Sequence, residues 1–386
     1  MPPHQATLRR LAARITLWQA AAAAILLAPG AATARAAVTV GAAALIAATA
    51  VPVGGRTGDQ WLAARRRFRH RTRRHERRTV SPVEAVVAGV ETRGHADRAG
   101  NRVGLVADGP AWTAVFRLDP IIEADLVPRL QDLLGRLWGS LGSGDRGTEH
   151  ATLDVRVAAA QLVGWSVPTA EPGPGLSRTF WIAVRFSPAL DPAAVRLRGG
   201  GEQGATRAAG AAALRLASDL RGHGFRLRVL DGTELTGELG TSLGVQPPRR
   251  GGTGEPVTAA GPPPPVRETW HALSVGALHH ACFRPRSRPH SARWFAVALT
   301  AIASPPAITT CSSVLFTRDG LDGRTRTESV IRVAVPAERR RRAIRRAVRR
   351  AAAGLPARLV PMHGEHHAGV RATIPLARSL RSSPTE

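Results

Sequence analysis

Residues 15–55 read ITLWQAAAAAILLAPGAATARAAVTVGAAALIAATAVPVGG, and this stretch decides the architecture. It contains two uncharged segments, 15–34 and 36–55, parted by Arg35. Each is about twenty residues long, and an α-helix of that length rises about 30 Å, the hydrocarbon thickness of a bilayer. Pro29 and Gly30 lie between the richest parts and mark a turn. The pattern predicts a transmembrane helical hairpin with spans at 11–28 and 36–53. Two other readings fit the same letters. Ala32-Thr33-Ala34 resembles a small-residue cleavage site, which would make the first segment a signal peptide before a single span. A buried soluble hairpin is the third. Segment length and flanking charge favour the membrane hairpin.

Charge sets its direction. Arg9, Arg10 and Arg14 precede the first segment, and behind the second come Arg65, Arg66, Arg67, Arg69, Arg71, Arg73, Arg74, Arg77 and Arg78. Positive flanks stay on the cytoplasmic side, so both termini are expected there, in the inner cell membrane. Trp61 and Phe68 interleave with these arginines. Residues 56–79 therefore read as a juxtamembrane segment whose membrane-interface cations are Arg65, Arg66, Arg67, Arg69, Arg71, Arg73 and Arg74.

The whole chain of 386 residues carries a net charge of +26, and every one of its 54 basic residues is arginine. Such a surface attracts anionic lipid, nucleic acid or an acidic partner. Without lysine there is no Walker A phosphate lysine and no Schiff-base lysine. An ATPase, kinase or pyridoxal-dependent enzyme of the usual kinds is excluded. Cys282 and Cys311 fit a reducing compartment without a disulfide framework.

Beyond residue 80 the pattern is that of an α+β fold with mixed sheets. Strands are predicted at 84–91, 103–107, 111–118, 153–163, 178–186 and 225–230, and helices at 122–141, 202–221 and 233–239. Residues 246–266 form a Pro/Gly linker. A second part follows, with strands around 270–275 and at 293–302, 310–316, 325–335 and 369–376, and a basic loop at 279–291. The domain plan is thus a hairpin at 1–55, a basic segment at 56–79, cytosolic parts at 80–245 and 267–378 flanking the linker, and a disordered tail at 379–386. Both parts run hairpin strands and then a helix, without a close sequence repeat. In the second part the helix at 338–351 displays Arg342, Arg345, Arg346 and Arg349, a candidate surface for a partner or lipid.

Chemical motifs are weak. The run at 199–204 spells GxGxxG before a helix, but it sits about a dozen residues after its strand, and Glu202 would repel a phosphate. It reads as a loop entering a helix. His363, Glu365, His366 and His367 could wrap a metal, with His279, His280 and Cys282 as further ligands, yet the spacing matches neither HExxH nor its inverse. No catalytic, cofactor or metal residues are assigned.

The layout as a whole resembles a known family. A two-helix hairpin leads to the basic exit WLAARRRFRHRTRR at 61–74, then VGLVADGPAWTAVFRL at 103–118. RTFWIAVRFSP at 178–188 and GGGEQGATRAAGAAALRLASDLRGHGFRLRVLD at 199–231 follow, and ETWHALSV at 268–275 opens the last part. Together these are similar to EccE, a subunit of the actinobacterial type VII secretion system. The resemblance implies a non-enzymatic structural subunit of an inner-membrane secretion complex, without a cofactor, assembled with EccB-, EccC- and EccD-like proteins and membrane lipid. No specific nucleic acid is expected. The alternative is a membrane-tethered binder of anionic lipid or nucleic acid through the arginine-rich segments.

Overall fold

The computed structural model describes residues 40–41, 57–75, 86, 90–119, 129, 155–168, 176–243, 266–285, 309–318, 325–336 and 358–380. The chain divides into two compact units, Met1–His70 and Arg71–Glu386. Apart from Val40, Gly41 and Arg129, the expected spans, the helices at 122–141 and 338–351, the strand at 293–302 and almost all of the linker lie outside the described residues. Val40 and Gly41 are helical and exposed. Among the described residues no helix is long and apolar enough to cross a membrane. Helix α1 is Gly58–His75.

The second unit is built on one antiparallel sheet. Its strands are β1 (Glu91–Ala96), β2 (Arg102–Asp108), β3 (Ala111–Leu118), β4 (Val157–Pro168), β5 (Leu176–Phe186) and β6 (Leu227–Val229). A second set follows, β7 (Val266–Glu268), β8 (Leu273–Val275), β9 (Leu278–Pro285), β10 (Thr309–Arg318), β11 (Thr325–Pro336) and β12 (Leu359–Pro361). The spatial order is β1-β2-β3-β5-β4-β10-β11-β9-β8-β7, with β6 on β3 and β12 on β9. Every described pairing is antiparallel, which corrects the mixed sheet expected from the sequence. Consecutive strands such as β1–β2, β2–β3 and β10–β11 pair through short connections that impose this polarity, since a parallel pair needs a long crossover.

The order is a palindrome. Each strand of the first half has a counterpart at the mirrored place in the second: β1 and β7, β2 and β8, β3 and β9, β4 and β10, β5 and β11, β6 and β12. The halves meet where β4 pairs with β10, from Thr310 opposite Ser166 to Thr317 opposite Ala159. A two-fold axis perpendicular to the sheet through this ladder relates two such halves, because it reverses strand direction and keeps each face.

Both faces are buried, so strand residues alternate between two cores rather than between core and water. On β3, Trp112, Ala114, Phe116 and Leu118 enter one core, and Val115 enters the other. On the first face lie α2 (Pro192–Leu197) and α3 (Gly201–Gly222). Gly204, Ala208, Ala212, Leu216 and Leu220 recur every fourth residue on the buried side of α3, the helical period. The small residues let it sit close: a Cβ on Gly210 would fall 2.3 Å from the His95 ring. On the other face lie α4 (Gly232–Ser242) and α5 (His366–Thr373). Asp231 starts α4 with a capping box, accepting from the Thr233 and Glu234 amides while Glu234 accepts from its own. Leu235 and Leu239 then point at the sheet, with Leu243 just beyond.

Four local expectations change. Val86 is helical and β1 begins only at Glu91, so the strand at 84–91 is misplaced; a short apolar run does not distinguish helix from strand. The basic loop at 279–291 begins as strand β9. Its histidines misled, because Ala281 and Phe283 enter one core while His280 and Cys282 enter the opposite side. Residues 369–376 are not a strand: helix α5 runs to Thr373 and a bent strap without regular structure follows. The tail expected from residue 379 starts fastened, with the Ser379 hydroxyl and Leu380 amide both donating to Glu328.

Gly104 marks the tightest backbone approach. Its amide donates to the Leu230 carbonyl at 2.7 Å, and a Cβ there would lie 2.5 Å from the Asp231 carbonyl oxygen. Neither backbone can retreat without breaking a ladder. Gly104→Ala is expected to cost about 2–3 kcal/mol through overpacking, and Gly94→Ala, with nothing within 4 Å, less than about 0.5 kcal/mol. Denaturant titration of the two variants compares them directly; equal midpoints would contradict the packing.

Candidate functional site

The features that join the two halves gather on the face carrying α4 and α5. After α5, the strap 374–380 crosses from the second half onto the first. Ile374, Leu376, Ala377 and Arg378 are all buried. Gln161, on the central strand β4 and fully buried, clamps the crossing. Its Nε2 donates to the Ala372 carbonyl at 2.8 Å, and its Oε1 accepts from the Leu376 and Ala377 amides at 3.1 and 2.7 Å. Thr113 on β3 donates its hydroxyl to the Leu376 carbonyl. Ala377 adopts φ 49°, a left-handed conformation that costs a non-glycine residue about 1 kcal/mol and persists only where the surroundings impose it.

The strap ends in an ionic knot. Asp108, at the β2–β3 turn, accepts from Arg378 through Nε at 2.7 Å and also through Nη2, and from Arg185 of β5 at 2.6 Å. Burial works to raise the carboxyl, but the Arg378 hydrogen bond and the charges of Arg185 and Arg378 outweigh it and hold its pKa below the ordinary range. Arg378 is only 7% exposed, so this is a largely desolvated pair.

The start of α5 is fixed by the histidines considered as metal ligands. The His366 imidazole accepts from the Cys282 amide at 3.0 Å, and the Cys282 thiol points at the His366 carbonyl at 3.7 Å. His363 stacks on Trp270 and meets His271 edge-on. The His367 amide donates to Glu268. These residues thus dock α5 onto β7–β9, and among the described residues no three His, Cys, Asp or Glu side chains gather as a metal site. The glycine run at 199–204 shapes the corner between α2 and α3: Gly199, Gly200 and Gly201 all take positive φ, and Glu202 pairs with Arg93 at 2.8 Å. On the other face Glu238 of α4 accepts from Arg117 at 2.7 Å and from the Trp181 indole at 3.2 Å, holding α4 to β3 and β5.

Helix α1 carries the basic segment. Leu62, Arg65, Arg66 and Arg69 stand at i, i+3, i+4 and i+7 on one helix face, and all four are exposed. Leu62 keeps 57% of its surface open. Trp61 and Phe68 are half-buried and Ala64 is buried, so the aromatic residues border the exposed face on its Arg65 side. Arg67, Arg71, Arg73 and Arg74 lie on the same helix; Arg342, Arg345, Arg346 and Arg349 lie outside the described residues.

Residues 176–284 match the EccE family, described as the putative type VII ESX secretion system translocon. The chain carries an EccE region. It runs from the first residue of β5 into β9 and so spans both halves of the sheet. It covers RTFWIAVRF, the glycine-led α3 and ETWHALSV, three of the stretches on which the sequence resemblance rests. No curated protein matches the chain.

The clamp at Gln161 and the knot at Asp108 were not legible from the sequence. A lone glutamine inside an apolar strand, and an Asp-Gly-Pro turn, are local signals without a partner. Their partners in the strap and at the end of α5 lie more than two hundred residues away.

Proposed function

We propose that the chain is a non-catalytic structural subunit of an inner-membrane type VII secretion complex. Its N-terminal hairpin anchors it as a multi-pass protein, with both termini cytoplasmic. Its cytosolic sheet braces EccB-, EccC- and EccD-like neighbours. The observation that carries this reading is the EccE region itself, lying within a sheet whose halves are continuous through β4–β10 and fastened by the C-terminal strap. An element closed on both faces and tied at its end holds shape under load, as a brace must. Two uncharged segments followed by arginines support the anchor.

Alkaline carbonate washing of membranes tests the anchor: the full chain stays in the pellet. Removing the chain from cells is expected to abolish type VII export while leaving general secretion intact. Release by carbonate, or unaltered export, would sink the proposal.

The face of α1 bearing Leu62, Arg65, Arg66 and Arg69 suits the anionic leaflet beside such an anchor, the leucine entering between headgroups and the arginines meeting phosphate. Each cation near an anionic surface contributes about 1 kcal/mol. Reversing Arg65, Arg66 and Arg69 to Glu is expected to loosen α1 from the leaflet. In full chain reconstituted into phosphatidylglycerol-containing vesicles, a fluorophore at residue 62 then reports a more polar surrounding than in wild type. An unchanged spectrum would contradict the placement.

A further inference from the structure

The sheet face beneath α4 and α5 buries a cation for which no carboxylate partner is present among the described residues. Arg332 on β11 and His280 on β9 are 2% and 1% exposed. Arg332 stands opposite Cys282, and His280 opposite Ala334, so both side chains leave the same face one diagonal step apart. The Arg332 Nη2 donates to the Ser242 carbonyl at the end of α4, while its Nη1 has no partner among the described residues. Neither ring nitrogen of His280 has one either. The guanidinium keeps its charge under all ordinary conditions. The carbonyl end of α4 offsets roughly half a charge at most. A buried cation left short of compensation is unfavourable, and orphaned buried donors call for an acceptor. Burial, reinforced by the charges of Arg332 and His279, holds His280 well below the usual histidine range, so it is neutral and offers one N–H.

We propose that Arg332 and His280 bind a small monovalent anion of the halide class between β9 and β11. The Arg332 Nη1 and one His280 ring N–H donate to it. A single guanidinium charge is matched by a single negative charge, whereas a divalent oxyanion would leave one in excess. The near-complete burial of both residues admits a monatomic ion in preference to a carboxylate or phosphate. Because Arg332 belongs to the second half and Ser242 to the first, the bound ion stabilises the junction of the halves, independently of any role in secretion.

Thermal unfolding of the full chain in sodium chloride, sodium bromide and sodium gluconate, at one ionic strength, is the first test. Chloride and bromide are expected to raise the Tm saturably, by a few degrees over gluconate. Arg332→Met and His280→Leu lose that difference. Crystals of the wild-type protein grown in bromide are expected to show an anomalous peak within hydrogen-bond distance of Arg332 Nη1 and His280. Equal Tm values in the three salts, or a halide effect that survives Arg332→Met, overturns the proposal. Should both variants fail to fold, the bromide peak decides alone, its presence supporting the site and its absence overturning it.

Discussion

Gln161→Leu is expected to destabilise the folded sheet by about 3–5 kcal/mol. Leucine fits the volume but makes none of the bonds. The Ala372 carbonyl and the Leu376 and Ala377 amides would each lose a buried partner. A stranded backbone group costs about 1–3 kcal/mol, and the three are too close to add fully. In a domain of this size about 3 kcal/mol lowers the Tm by roughly 6–12 °C. The loss is local first, because Gln161 holds the strap rather than a strand. Limited proteolysis should therefore cut within 374–380 at temperatures where the rest of the variant stays folded. Ala377, kept in a left-handed conformation by the same clamp, should relax when it is gone. A variant that melts with the wild type and resists protease equally would show that the strap is fastened by other means.

Asp108→Asn is expected to cost about 2–4 kcal/mol. The amide still accepts one hydrogen bond but leaves Arg185 and Arg378 facing each other without the shared negative charge, and Arg378 is 7% exposed. Truncating one member of a buried pair carries the penalty of the charge left behind. The pH dependence separates this from simple misfolding. The carboxyl is depressed in the folded state, so its contribution is complete above the ordinary carboxylate range and disappears as pH falls through the folded value. The wild-type advantage over Asp108→Asn should be constant between about pH 5 and 7 and shrink below about pH 4. His280 acts in the same direction nearer neutrality. Burial keeps it unprotonated when folded, so acidification below about pH 6.5 favours the unfolded chain, which binds the extra proton. An advantage for wild type that grows on acidification would contradict the assignment of the knot.

Much of the fold was legible because its signals are local. The stretches AWTAVFRL and RTFWIAVRF are strands at the expected places, and α3 is stopped by Gly222 and the turn at Gly224. The capping letters Asp231 and Glu234 set the start of α4. Long-range features were not legible. The palindromic order rests on pairing between β4 and β10, strands whose paired positions lie far apart in sequence and whose side chains do not repeat. The strap was read as part of a strand, yet its backbone at Leu376 bonds to the side chains of Gln161 and Thr113 rather than to a neighbouring strand. His280 and Arg332, polar letters inside β9 and β11, gave no hint of their burial. The arginines of α1 were expected to share the membrane surface with Trp61 and Phe68. The helix leaves Trp61 and Phe68 half-buried and Arg65, Arg66 and Arg69 exposed, a difference in burial that the letters alone do not show.

The most direct measurement is purification of the full chain from its own membranes in mild detergent, followed by sizing and identification of whatever co-elutes. A brace of a type VII translocon should run in a particle several times larger than its own 40.8 kDa, together with other membrane subunits of that system in fixed proportion. A chain that elutes alone, in every mild detergent tried, would contradict the account.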